Sequence, residues 1–320
     1  MKHHALLASC VVAAMLAVGG ASAQQYPNKP VKVIIANPPG QSIDTITRLY
    51  TAKLASSLGQ SFVIDNRGGA GGVIGTAAAA KSPPDGYTLF IGTAATHGMN
   101  LAMYENVGYD PERDFSPIGL LGRVVMVVAA TPAMGIRSIP DLIAKSRAGK
   151  LDIAVPSSMA THVADLLQQR GKIALNLVPY KGSAQAMTDV LGGHITLVVD
   201  TATLIGAQVA TGKLVPLGVT SAQQTALMPG LKTVAEQGLP GFEVTGWYMV
   251  FAPMGTPRPI LEQLNSELRK IQADPEIQKQ LLANGVGPTP VGELSELVGF
   301  VKGEHERWVK AIKAALAKAP

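Results

Sequence analysis

The chain has 320 residues, 47% of them hydrophobic and 15% charged, the balance of a globular protein with one large or two medium domains rather than a disordered or fibrous one. Its formal charge of +5 comes from scattered lysines and arginines, which with 5% aromatics excludes a nucleic-acid groove and leaves a mild bias toward small anions. The single cysteine, Cys10, lies near the start, so the rest of the chain holds no disulfide framework, thiolate nucleophile or thiolate metal site.

In chain order, Met1-Lys2-His3-His4 leads into an apolar run from Ala5 to Val18 and then Gly19-Gly20-Ala21-Ser22-Ala23. The run is shorter than the roughly 20 residues of a bilayer span, so residues 1–23 read as a secretory signal cut between Ala23 and Gln24. Leu7-Ala8-Ser9-Cys10 has the outline of a lipoprotein box, but the apolar run continues past Cys10. With Lys2 gone the formal charge falls from +5 to +4.

After Pro30, short runs of Val, Ile and Leu alternate with segments of helical period, which predicts an α/β fold with mostly parallel sheets and flanking helices. The predicted strands are Val31–Ala36, Phe62–Asp65, Leu89–Gly92, Val124–Ala130, Ile153–Val155, Asn176–Val178, Thr196–Val199, Pro216–Thr220 and Met249–Ala252. The predicted helices are Ser42–Leu58, Val73–Lys81, Ile139–Arg147, Ala160–Gln169, Ser183–Leu191, Ala202–Thr211, Pro259–Ile271, Glu276–Ala283 and Glu293–Ala317. Arg123 to Thr131 and Gly246 to Phe251 are long apolar strands that read as passages between two lobes. One lobe then comprises residues 24–124 plus 248–320 and the other residues 125–247.

Three strand ends share one chemistry. The first is Asn37-Pro38-Pro39-Gly40-Gln41-Ser42-Ile43-Asp44, where two prolines stop the strand, Gly40 allows a sharp turn and Ser42 is placed to cap a helix. Thr93-Ala94-Ala95-Thr96-His97 and Ser157-Ser158-Met159-Ala160-Thr161-His162 follow later strands. Each offers hydroxyls and open helix-start amides without an arginine fork, a pattern suited to a small carboxylate. Asp44 either favours the helix dipole as a cap or meets a polar or amino group of the ligand.

Enzyme motifs fail one by one. Gly69-Ala70-Gly71-Gly72-Val73-Ile74-Gly75 has Ile74 where a dinucleotide loop needs its third glycine and belongs to the second strand. There is no Gly-Lys-Ser/Thr and no G-x-S-x-G elbow, and His305-Glu306 lacks the second zinc histidine. His97 and His162 are candidates to face each other across a cleft, with hydrogen bonding the plainer role. A serine hydrolase built from Ser157 or Ser158 with His162 and Asp200 is the enzymatic alternative.

Tyr26-Pro27-Asn28-Lys29-Pro30, Pro38-Pro39-Gly40 through Asp44, Asp65-Asn66-Arg67-Gly68-Gly69-Ala70-Gly71-Gly72, Pro84-Asp85-Gly86-Tyr87-Thr88-Leu89, Val178-Pro179-Tyr180-Lys181-Gly182-Ser183 and Phe251-Ala252-Pro253-Met254-Gly255-Thr256-Pro257 occur in order. With the signal segment, this set resembles the tripartite tricarboxylate transporter substrate-binding, or Bug, family over the whole mature chain. The resemblance implies a periplasmic two-lobe binding protein of the Venus-flytrap kind, a monomer without cofactor or metal, that closes on a small aliphatic or aromatic mono- or dicarboxylate. It implies delivery to a membrane permease of two subunits, with a sensor partner of a membrane signalling protein as the other role for such a fold. The ligand-binding residues it implies are Pro39, Gly40, Gln41, Ser42, Ile43 and Asp44, then Ser157, Ser158, Met159, Thr161 and His162. Thr93, Ala94, Thr96 and His97 complete the wall with Asp200 and Thr201. The chain departs from the family pattern at Gln41, where a second glycine is usual, and at Pro156-Ser157-Ser158-Met159-Ala160, which replaces a Ser-Gly-x-Gly-Ser turn; Met159 there suggests an apolar contact beside the carboxylate.

Overall fold

The computed structural model describes residues 26–180 and 182–316, with side chains through residue 310; the expected signal segment 1–23 lies outside the described residues. The strands are β1 Val31–Ile35, β2 Phe62–Asn66, β3 Thr88–Thr93, β4 Phe115–Ala130, β5 Leu151–Val155, β6 Leu175–Pro179, β7 Leu197–Thr201, β8 Val215–Val219, β9 Thr245–Pro253 and β10 Val286–Gly287. The helices are α1 Ser42–Leu58, α2 Val73–Ala80, α3 Asn100–Met103, α4 Ile139–Ser146, α5 Ser158–Gly171, α6 Ser183–Leu191, α7 Ala202–Ala210, α8 Arg258–Ala273, α9 Pro275–Ala283 and α10 Leu294–Leu316.

The strands lie in the order β2-β1-β3-β9-β4-β7-β5-β6, with β8 and β10 also paired to β4. The outer strands meet the parallel expectation: β1 pairs β2 and β3 in parallel, and β5 pairs β6 and β7 likewise. The inner strands β4 and β9 run antiparallel to each other and to their other neighbours, so the sheet is mixed.

Strand β4 is the thread that joins the two halves. Its upstream stretch pairs with β9 as far as Val125↔Thr245, and from Met126↔Thr201 onward it pairs with β7. It begins at Phe115, eight positions before the long strand read from the sequence, because Pro117, Gly119 and Gly122 break the apolar pattern without ending the strand. Register shifts fall between Pro117 and Gly119 and between Leu120 and Gly122, where one extra residue is absorbed.

Helices form where an apolar stripe has a face to cover. In α1, Ile43, Ile46, Tyr50 and Leu54 recur at helical spacing and are buried, and Gly59 ends the helix in the left-handed conformation at φ 70°. In α10, Leu297, Val301 and Trp308 form a comparable stripe that packs against β4 and the π-helical turn Ala95–Met99. No described helix is long and apolar enough to cross a membrane.

Candidate functional site

Helix α1 starts one residue earlier in its capping than the sequence suggested. Gln41 is the N-cap, with extended backbone at φ −80° and ψ 163°, and its carbonyl accepts from the amides of Asp44 at 2.9 Å and Thr45 at 3.1 Å. Ser42 is therefore the first helical residue and not the cap; its hydroxyl donates to the carbonyl of Asn284 at 3.3 Å and lies beside the hydroxyl of Tyr248. The Gln41 side chain accepts from Asn37 Nδ2 at 2.9 Å, which braces the turn across the two prolines. As at any helix start, the amides of Ser42 and Ile43 have no intrahelical acceptor.

Asp44 does not cap α1, whose N-cap is Gln41. Its side chain is buried, with Oδ2 accepting from the Gly40 amide at 3.0 Å and Arg48 Nε at 3.0 Å, and Oδ1 from Arg48 Nη2 at 3.1 Å and Asn66 Nδ2 at 3.2 Å. Burial alone would raise its pKa, but the hydrogen bonds from Arg48, Gly40 and Asn66 with the Arg48 charge outweigh it and hold the carboxyl below its ordinary value. Both oxygens are engaged inside the protein, and the carboxylate works as a clamp that gives the turn its shape. Gly40 sits at φ 82° on the exposed side of that turn, with open space where a side chain would begin.

The turn after β3 is knit to itself. Thr96 Oγ1 accepts from the Thr93 amide at 2.9 Å, and Thr93 Oγ1 accepts from the Thr96 amide at 3.3 Å. Thr93 is half-buried, whereas Ala94, Thr96 and His97 are interior, as is Ile43. These four, expected from the resemblance among the ligand-binding residues, are buried in the structure. His97 stacks on Phe251 at 4.0 Å between ring centres, its Nδ1 lies 3.0 Å from Thr96 Oγ1, and burial, with a smaller effect of His305, lowers its pKa to about 3. A neutral imidazole in that position is a core group and not a base.

In the other half, Ser157 is the N-cap of α5: its Oγ accepts from the Ala160 amide at 3.2 Å and its carbonyl from the Thr161 amide at 2.9 Å. Thr161 Oγ1 donates back to the Ser157 carbonyl at 3.2 Å. Ser158 is exposed and Met159 half-buried. His162 lies with its ring 5.1 Å from that of Trp308 on α10, and burial first and Arg307 second lower its pKa to about 4. Asp200 is buried at the end of β7; its Oδ1 accepts from the Thr201 amide at 2.7 Å, and burial raises its pKa against the opposing effect of the Thr201 amide and the Ser183 hydroxyl.

These positions do not assemble a hydrolase, since the Ser157 hydroxyl serves its own helix and His162 packs on an indole. His97 stacks on Phe251 and His162 packs on Trp308, and the described residues hold no group of three or more metal-ligating side chains. Replacing Ser157 by alanine is expected to lower stability by about 0.5–2 kcal/mol through the lost cap. Urea unfolding checks this, and a loss under 0.3 kcal/mol would show that the cap is dispensable.

What the fold does bring together is a set of helix starts. The turns after β1 and β3 lie at the carboxyl ends of one parallel set, and those after β5 and β7 at the carboxyl ends of the other, with β4 and β9 crossing between. Sequence reasoning missed Tyr248 and Gly246 on β9 and the Asn284-Gly285 turn. Tyr248 and Gly246 stood in the crossing run already singled out; the Asn284-Gly285 turn reaches Ser42 from 242 positions away and leaves no local signal. Amides and hydroxyls with their cationic neighbours already paired suit the binding of carboxylates and supply no activated nucleophile.

A family model described as "Tripartite tricarboxylate transporter family receptor" matches residues 46–316. A solved structure described as "R. palustris Rpa4515 with adipate" is 33% identical, with a TM-score of 0.82 over 91% of this chain and 98% of its own. "Structure of periplasmic binding protein BugD" is 31% identical, with a TM-score of 0.79 over 91% and 98%. MatC from Rhodopseudomonas palustris, described with bound malate, is 27% identical, with a TM-score of 0.77 over 90% and 100%.

Proposed function

Because the chain belongs to the tripartite tricarboxylate transporter receptor family, a family of binding proteins and not of enzymes, we propose that it captures a small carboxylate between its two halves. The observation that carries this reading is the pairing of two helix starts, at Ser42 in one half and at Ser158 in the other, across the same pair of crossing strands. Each start offers first-turn amides and the positive end of a helix dipole, and neither brings a free cation of its own. A ligand with an anionic group at each end satisfies both. Adipate and malate, held by two similar proteins, are of that kind.

On this reading the protein works in the periplasm as a monomer, after loss of residues 1–23, and hands its ligand to a membrane permease of two subunits. The halves are residues 24–124 plus 248–320 and residues 125–247, hinged where β4 passes from one set of partners to the other. Pro39, Gly40, Gln41 and Ser42 form one wall and Ser157, Ser158, Met159 and Thr161 the other, with Thr93 and Thr201 at the rim.

A thermal-unfolding screen of the mature protein against aliphatic and aromatic mono- and dicarboxylates tests this. A ligand at 100 times its Kd adds about 2.7 kcal/mol to the native state, a rise of several degrees in Tm. A flat Tm across the panel at millimolar ligand would remove the carboxylate reading.

A further inference from the structure

We propose that Met159 sets the length of ligand the cleft accepts, an inference that rests on the carboxylate reading and names its specificity residue. Met159 is the second residue of α5, directly at the helix start that would hold one carboxylate. Its thioether bends onto Gly246 of β9: a Cβ built on Gly246 would lie 2.7 Å from Met159 Cε and 3.4 Å from Sδ. Gly246 is buried and Met159 half-buried, so the methyl fills a place that only the missing side chain at 246 leaves open.

Gly246 and Tyr248 are two residues apart on one strand and so present the same face, about 7 Å apart along it. Tyr248 lies beside Ser42, at the other helix start. The strand therefore acts as a ruler, with the Ser42 turn over one mark and Met159 over the other. That separation matches the reach of a short α,ω-dicarboxylate, whose methylene chain would lie along the strand with the Met159 thioether as its apolar end-stop. Methionine suits such a position, being unbranched and polarisable and able to follow the shape of an aliphatic chain.

The close approach supplies two variants that push in opposite directions. In Met159→Ala the thioether is gone and the site lengthens by about two methylenes. In Gly246→Ala the new methyl meets only the far end of a flexible side chain, so the fold tolerates it while Met159 Cε moves toward the ligand and the site shortens. Gly246 has no left-handed φ, and its other close neighbour, Val124 Cβ at 3.4 Å, is at ordinary contact.

The test is isothermal titration of the mature protein with the straight-chain dicarboxylates from succinate to suberate. The parent is expected to favour one length. Each methylene that gains or loses burial is worth about fourfold in affinity, so Met159→Ala should move the long-to-short affinity ratio at least tenfold toward longer acids. Gly246→Ala should move the ratio toward shorter acids, and the double variant should match Met159→Ala, since the new methyl then has nothing to displace. Thermal unfolding of each variant confirms that it is folded. A parent that binds the series while both single variants keep its length profile overturns the inference alone. A parent that binds no member overturns the dicarboxylate reading and the inference with it.

Discussion

Replacing Gly285 by alanine is expected to destabilise the protein by about 2–5 kcal/mol, and adding Thr203→Gly to that variant should recover at least half of the loss. Gly285 ends helix α9 at φ 72°, a conformation that costs an L-residue about 1–2 kcal/mol. The larger effect is contact. A Cβ at 285 would stand 1.4 Å from Thr203 Oγ1, 2.7 Å from its Cβ and 3.1 Å from its amide nitrogen. Thr203 is the second residue of α7 and follows β7, whose Thr201 pairs with Met126, whereas Gly285 leads into β10, whose Val286 pairs with Val124. The contact thus joins the two halves beside the point where β4 changes partners. An alanine there would wedge them apart. Thr203→Gly removes the hydroxyl and Cβ but leaves the backbone strain, which is why recovery is expected to be partial. Urea unfolding of the single and double variants decides it: if Gly285→Ala lies within 0.5 kcal/mol of the parent, the halves do not bear on each other at this point.

Neither partner of that contact was visible in the sequence, and the reason is general to this fold. The strands β1, β2, β3, β5, β6 and β7 were read within one or two residues because continuous apolar runs between turn residues are a local signal. The start of β4 was missed because a proline and two glycines imitate a loop. The π-helical turn Ala95–Met99 and the short helix α3 carry no predicted helix, because the segment is short and holds Gly98 and Asn100. At the site, the turns were legible as strand ends, but which residue caps α1 was not: Gln41 takes the cap through its carbonyl, and the backbone angles that decide this are not written in side-chain type. The interior placement of Thr96 and His97 has the same origin, since a Thr-His pair after a strand reads alike whether it faces a cleft or Phe251.

Asp44→Ala should lower stability at pH 7 by about 2–3 kcal/mol, with Asp44→Asn intermediate, because the carboxylate holds the turn in place from within. Alanine leaves the Gly40 amide and Asn66 Nδ2 without their acceptor and releases Arg48, whose exposed guanidinium returns to water at little cost. The loss therefore comes mainly from the two neutral donors and the turn they fix. The pH dependence has a definite sign. The folded pKa lies below the ordinary carboxylate value of about 3.9, so as the pH falls the unfolded chain takes up its proton first. The contribution of Asp44 is then complete above about pH 5 and is lost as the pH drops through the folded pKa. Urea unfolding of the parent and Asp44→Asn from pH 7 to pH 3 should show the gap between them closing below about pH 4. A gap that stays constant over that range would mean that the charge contributes nothing and shape alone holds the turn. The same clamp ties the Gly40 amide and its left-handed φ into the turn that opens α1, so under the carboxylate reading Asp44→Ala should also weaken ligand binding at least tenfold. Arg48→Ala, which leaves the Gly40 and Asn66 bonds intact, should weaken it less. Equal losses from the two variants would place the effect in the field of the ion pair instead of in the geometry of the turn.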